Sequence, residues 1–184
     1  MLENLSLIKS WIKKEKVLDV ILFGSLTRGK IKPADIDLCI LVCDKDEKRS
    51  LDLVDSLSKI TDRLGGQFQI NILTTSQFVQ GNSLAKTLLL EGISIKTTKK
   101  FSVSFGFEGK SAFVYTLSHF SATQRVRFHY ALKGRYGSEG MLRQVEGEFW
   151  NSGTIVVPIL KEDILKEFFI TWNVKFSVKK FLIS

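Results

Sequence analysis

Phe23-Gly24-Ser25-Leu26-Thr27-Arg28-Gly29-Lys30-Ile31-Lys32-Pro33-Ala34-Asp35-Ile36-Asp37-Leu38-Cys39-Ile40-Leu41 is the stretch that decides how this chain is read. The run leading into it, Val17 to Phe23, is β-branched and aromatic, has strand length and stops at Gly24. A strand that passes through Gly24 and Ser25 into a polar loop turns backbone N–H groups toward an anion, and the Ser25 hydroxyl adds a donor beside them. Such a nest suits a triphosphate. The second apolar run, Ile36 to Val42, reads as another strand, so Asp35 and Asp37 share one face while Ile36, Leu38, Ile40 and Val42 share the other. The two carboxylates then stand roughly 6.5–7 Å apart at Cα. Like charges this close, on a strand otherwise apolar, call for a cation between them. Mg²⁺ is the natural choice, because it takes one or two protein carboxylates and completes its shell with water and phosphate oxygens. The plainer reading is an ordinary turn followed by an exposed edge strand. The order and spacing of the pieces on a strand-loop-strand frame favour the ligand site.

These residues, Phe23-Gly24-Ser25, Arg28-Gly29, Pro33 and Asp35-Ile36-Asp37-Leu38, resemble the polymerase-β-type nucleotidyltransferase superfamily, in particular its minimal nucleotidyltransferase branch. The resemblance extends over residues 1–98, since Leu90-Glu91-Gly92-Ile93-Ser94-Ile95 is similar to the segment that closes such domains. It implies Mg²⁺-dependent transfer of a nucleoside monophosphate from a nucleoside triphosphate, ATP among the candidates, to an acceptor hydroxyl. Mn²⁺ is an alternative ion. By the same resemblance Gly24, Ser25 and Arg28 bind nucleotide, while Asp35 and Asp37 are catalytic and ligate metal. The acceptor is expected on a protein or an RNA, because minimal members include antitoxins that adenylylate a partner toxin.

The family usually carries a third carboxylate on a later strand. Here that run is Gln67-Phe68-Gln69-Ile70-Asn71-Ile72-Leu73, whose polar face holds Gln69 and Asn71, and Asn71 is taken as the residue in the acid's place. An amide oxygen can ligate a metal but accepts no proton. Asp19, Asp44 and Glu91 are the nearest acids able to substitute. A second class of function stays open for this reason: a degenerate module that binds nucleotide, nucleic acid or a partner protein without turnover.

The 184 residues, 44% of them hydrophobic, suffice for one domain or two small ones. An α+β fold is expected: a nucleotidyltransferase-type mixed sheet packed on helices over 1–98, then a small α+β region over 99–184. The helices are placed at Glu3 to Lys14, Asp46 to Leu64 and Ser76 to Glu91, with a hairpin from Ile93–Thr97 to Phe101–Phe107. Lys110 to Lys133 reads as one or two helices, with Ser121 as a cap. Beyond it come strand Thr154 to Ile159, helix Glu162 to Trp172 and strand Val174 to Ile183. No apolar run is long enough to span a bilayer and the N-terminus lacks a signal-peptide layout, so a cytoplasmic protein without a membrane partner is expected. Cys39 and Cys43 fall roughly 13 Å apart on one strand, too far for a disulfide. The net charge of +8 invites a polyanionic partner, including nucleic acid through a basic surface. Arg125, His129 and Lys133 make one basic helical stripe, read as a solvated face or a phosphate grip. The tail's aromatics, Trp150 among them, are read as core.

Overall fold

The apolar pattern of the first hundred residues condenses into a four-stranded sheet held between two helical layers. The computed structural model describes residues 5–28, 35–43, 46–135 and 138–184. Two units are distinguished, Met1–Thr27 with Ile31–Phe107, and Arg28–Lys30 with Glu108–Ser184. The fold class is mixed α+β. Residues 99–107, taken from sequence as the opening of the second region, pack with the first unit.

In the first unit, helix α1 (Leu5–Glu15) leads to strand β1 (Asp19–Phe23) and then to β2 (Ile36–Val42). Helix α2 (Glu47–Thr61) follows and tightens into a 3₁₀ turn over Asp62–Leu64. Asp46 caps α2 by accepting from the backbone N–H groups of Lys48 and Arg49, which satisfies donors that have no partner inside the helix. Strand β3 (Phe68–Thr74), helices α3 (Thr75–Val79) and α4 (Ser83–Glu91) and the short strand β4 (Ile93–Ser94) complete the unit. The strand order is β3-β2-β1-β4. Strand β2 runs antiparallel to β1 and parallel to β3. One face, with Val20, Leu38, Ile40 and Val42, buries against Ile8, Trp11 and Ile12 of α1 and Leu53 and Leu57 of α2. The opposite face, with Ile21, Phe23, Cys39 and Leu41, meets Ala85 and Leu88 of α4 and Phe101.

Two expectations are corrected here. The helix expected from Ser76 to Glu91 is two, because the chain turns at Gln80-Gly81-Asn82, where Gly81 has φ +73° and the Asn82 side chain caps α4 through Ala85 N–H. The hairpin does not extend to Phe107: Phe101–Phe105 forms a 3₁₀ turn, and only Ile93 and Lys100 bridge. Tertiary packing overrides the alternating pattern, since Phe101 and Phe105 each stack on Phe78 of α3 with ring centroids 5.6 Å away.

In the second unit, Glu108–Thr116 is strand β5 and not the start of a helix. Its residues alternate, with Phe113 and Tyr115 entering the core and Val114 and Thr116 exposed. Helix α5 (Ala122–Lys133) starts at Ser121, whose side chain and that of Gln124 form a reciprocal capping box. Helix α6 (Met141–Gln144), strands β6 (Glu148–Asn151) and β7 (Thr154–Pro158), helix α7 (Glu162–Thr171) and strand β8 (Lys175–Ile183) follow. The antiparallel order is β6-β7-β5-β8. One face of this sheet is sealed by Phe128 and Leu132 of α5 and Leu165 and Phe169 of α7.

Candidate nucleotidyltransferase site

Strand β1 ends where its register with β2 sets Phe23 opposite Asp37. Gly24 follows with φ +85°, a conformation that favours glycine. A side chain there has no room: a Cβ would lie 3.0 Å from Asp37 Cγ, with Asp37 Oδ2 nearer still. The Asp37 carboxylate therefore fills the place that a side chain at Gly24 would take. Ser25 opens the turn that runs to Arg28, and the Thr27 hydroxyl closes it by donating to the Gly24 carbonyl at 2.8 Å. The Arg28-Gly29 and Pro33 parts of the motif lie partly outside the described residues, which omit Gly29 and Pro33, as does Asp44 among the substitute acids.

Asp35 precedes β2 and Asp37 is its second residue, both half-buried. The parallel register sets Gln69 opposite Asp37 and Asn71 opposite Cys39. Gln69 is therefore level with Asp37 and Asn71 lies one pair further along the same face, and the Gln69 amide donates to Asp35 Oδ2. The face holding Asp35 and Asp37 becomes apolar one pair further on, where Cys39 is fully buried and burial pushes its thiol pKa up to about 12. Cys43 is exposed and both cysteines are free thiols.

Of the acids able to substitute, Asp19 stands at the other end of β1, where its carboxylate accepts from the Ser94 hydroxyl and the Lys96 N–H. Glu91 is different. It ends α4, is 3% exposed, and Oε1 accepts the Gly24 N–H at 3.2 Å. Glu91 and Asp37 thus flank the same glycine. The sequence names Glu91 among several acids, but its link to Gly24 spans 67 positions and has no local signature.

Arg28 is grouped with the second unit, where Nε lies 3.4 Å from Asp163 Oδ2 and its carbonyl accepts the Asp163 N–H at 3.3 Å. The stripe on α5 is also engaged within its unit. Arg125 donates to the carbonyls of Phe120 and Ser118, and the Lys133 ammonium sits 5.0 Å from the Phe149 ring centroid.

Residues 6–100 match the family model for polymerase beta, nucleotidyltransferase. The chain belongs to this family. Nucleotidyltransferases of the family generally use divalent metals. No curated protein matches the chain significantly. Among solved structures, this chain is similar to a chain of the tri-AMPylated Shewanella oneidensis HEPN toxin in complex with MNT antitoxin. Identity is 17%, over 70% of this chain and 97% of that one, with a TM-score of 0.36. A chain of the toxin–antitoxin pair MntA–HpeT, carrying two aspartate-to-glutamate changes, is 15% identical over 68% and 95% of the two chains, with a TM-score of 0.37.

The donor set at Gly24 fits a hard divalent ion. Asp35, just before β2, and Asp37, its second residue, would supply two carboxylates, and the ion's remaining positions would suit water and phosphate oxygens. Among the described residues no group of three or more His, Cys, Asp and Glu is placed to hold a metal ion. No described helix is long and apolar enough to cross a membrane.

Proposed function

We propose that the chain transfers a nucleoside monophosphate from a nucleoside triphosphate to a hydroxyl of a protein or RNA, with Mg²⁺ or Mn²⁺, pyrophosphate leaving. The observation that carries this reading is the packing of the Gly24 backbone against the Asp37 carboxylate, with Asp35 on the same face. In this reading Gly24 and Ser25 hold the triphosphate against the end of β1, and Asp35 and Asp37 hold the ion. The metal supplies charge neutralisation on the phosphate oxygens. The acceptor oxygen bonds to the α-phosphorus as the bond from that phosphorus to the bridging oxygen breaks, and the hydroxyl proton leaves to a carboxylate or to water. Gln69 donates to Asp35 and accepts no proton, so the base is not drawn from β3.

The Gln69 amide level with Asp37 also favours a second reading, a module that binds nucleotide or a partner without turnover. Calorimetric titration with ATP, CTP and UTP, with and without Mg²⁺, tests the site. Mg²⁺-dependent binding lost in the Asp35→Ala, Asp37→Ala double variant is expected; metal-independent binding unaffected by that change would sink the proposal. Incubation with labelled nucleotide and cell extract then separates the readings, since binding without label on any macromolecule selects the module.

A further inference from the structure

Among the described residues, the helices of the second unit pack on one face of its sheet, and the other face carries an unusual set of side chains. Phe113 and Tyr115 of β5, Ile155 and Val157 of β7, and Phe176 and Val178 of β8 point into the helix-covered core. Alternation therefore sends Lys110, Ala112, Val114 and Thr116, then Thr154, Val156 and Pro158, then Lys175, Ser177, Lys179 and Phe181 to the outer face. Trp150, at the irregularity between Phe149 and Asn151 of β6, reaches the same side, because its ring lies 5.2 Å from that of Phe181 at an interplanar angle of 52°. Strands β6 and β8 are separated by β7 and β5. In a flat sheet they would be about 14 Å apart, from about 4.8 Å per strand. The two rings bridge that gap from opposite edges of the sheet, and between them Val156 and Ala112 are 2% and 8% exposed.

The Trp150 indole itself is 54% exposed. Cations line the same face. Lys110 is the register partner of Phe181, and Lys179 and then Lys175 lie progressively further from the rings on the same side of β8, Lys175 roughly 20 Å from Phe181 along the strand. The acids on this face are Glu108, which pairs with Lys110 at 3.1 Å, and Glu148 on β6. Among the described residues no carboxylate lies within ion-pair distance of Lys175 or Lys179, and β8 contains no acidic residue.

We propose that this outer face binds a single-stranded nucleic acid, one base stacking on Trp150 beside Phe181 and the phosphates running along Lys179 and Lys175. A single strand suits the face better than a duplex, because stacking on Trp150 requires an unpaired base surface and a row of ammonium groups follows one backbone. The charge complementarity is local: Lys179 and Lys175 share one face of the sheet with the exposed ring, whereas Arg125 and Lys133 of α5 are engaged with carbonyls and a ring of their own unit. The inference is independent of the chemistry at Asp35 and Asp37, and either can fail without the other.

The test uses the full chain and a fluorescein-labelled twelve-residue oligouridylate, followed by anisotropy over a series of KCl concentrations. Trp150→Ala is expected to weaken binding about tenfold at fixed salt, the scale of one lost base stack. Trp150→Phe restores most of that loss. Lys175→Ala with Lys179→Ala lowers the slope of log affinity against log salt by about 1.4, from about 0.7 for each single-strand phosphate contact. Melting curves confirm that the variants stay folded. The proposal is overturned by absence of binding, by binding indifferent to Trp150, by an equal or higher affinity for the matching duplex, or by a dimer that Trp150→Ala dissolves. The last result would assign the face to a second copy of the chain.

Discussion

Replacing Gly24 by alanine probes the structure where a new side chain and the Asp37 carboxylate compete for one volume. Two costs combine. The φ of +85° is unfavourable for any residue with a Cβ, worth about 1–3 kcal/mol. The new methyl also drives the Asp37 carboxylate out of its rotamer, a further 0.5–1.5 kcal/mol or so. Gly65→Ala is the matched control, because Gly65 has φ +70° and nothing lies within 4 Å of the place its new methyl would take. It carries the backbone cost alone. On a chain of this size the collision should therefore lower the melting temperature of Gly24→Ala below that of Gly65→Ala by about 1–6 °C. The ligand-dependent difference is larger. Magnesium nucleotide at a hundredfold excess over its Kd stabilises the native state by about 2.7 kcal/mol, a shift that Gly65→Ala keeps and Gly24→Ala loses, since its Asp37 no longer faces the ion. Thermal melting followed by circular dichroism, with and without magnesium nucleotide, reads both quantities. Equal melting of the two variants together with an undiminished ligand shift in Gly24→Ala would refute the reasoning.

Three further outcomes are expected. Glu91→Ala leaves the Gly24 N–H without its acceptor and should cost about 1–3 kcal/mol, whereas Glu91→Gln keeps an acceptor and most of the stability; equal losses in urea titrations would show that the hydrogen bond is not what matters. Ser121→Ala removes half of a reciprocal capping box and should destabilise the second unit by about 1 kcal/mol, with magnesium nucleotide binding unchanged; calorimetric titration showing weakened binding would contradict that assignment. A thiol reagent at pH 8 should modify Cys43 alone in the native chain and both cysteines in guanidinium, because burial holds the Cys39 thiol protonated with a pKa pushed up to about 12; rapid native modification of two thiols would count against that burial.

Much of the first unit is legible directly in the chain. The apolar runs Val17–Phe23 and Ile36–Val42 form β1 and β2, and the alternation that sets Asp35 and Asp37 on one side of the sheet is the same alternation that buries Leu38 and Ile40 on the other. Helix ends are legible where a side chain caps its own backbone, as at Asp46 and Ser121. These features depend on residues a few positions apart. Sequence and structure part where distant packing competes with local pattern. Phe101–Phe107 alternates like a strand yet turns into 3₁₀ form against Phe78. The segment Lys110–Thr116 reads as the start of a helix although its aromatics alternate, and pairing with β7 and β8 fixes it as a strand. Trp150, read as core, lies on the exposed side of its sheet.

The sequence by itself determined that a glycine-serine turn and a pair of carboxylates follow one another on two adjacent strands, because strand length, alternation and a glycine stop are local properties. Only the tertiary structure decided which residues stand beside that motif. The register of β2 with β3 brings Gln69 level with Asp37 and Asn71 level with Cys39, and a two-residue shift of that register would keep every side chain on its own face, so neither strand's own pattern distinguishes the two. The end of α4 brings Glu91 onto the Gly24 N–H across 67 positions. Both outcomes arise from the packing of whole elements, which sets the separation of groups that no spacing in the chain encodes.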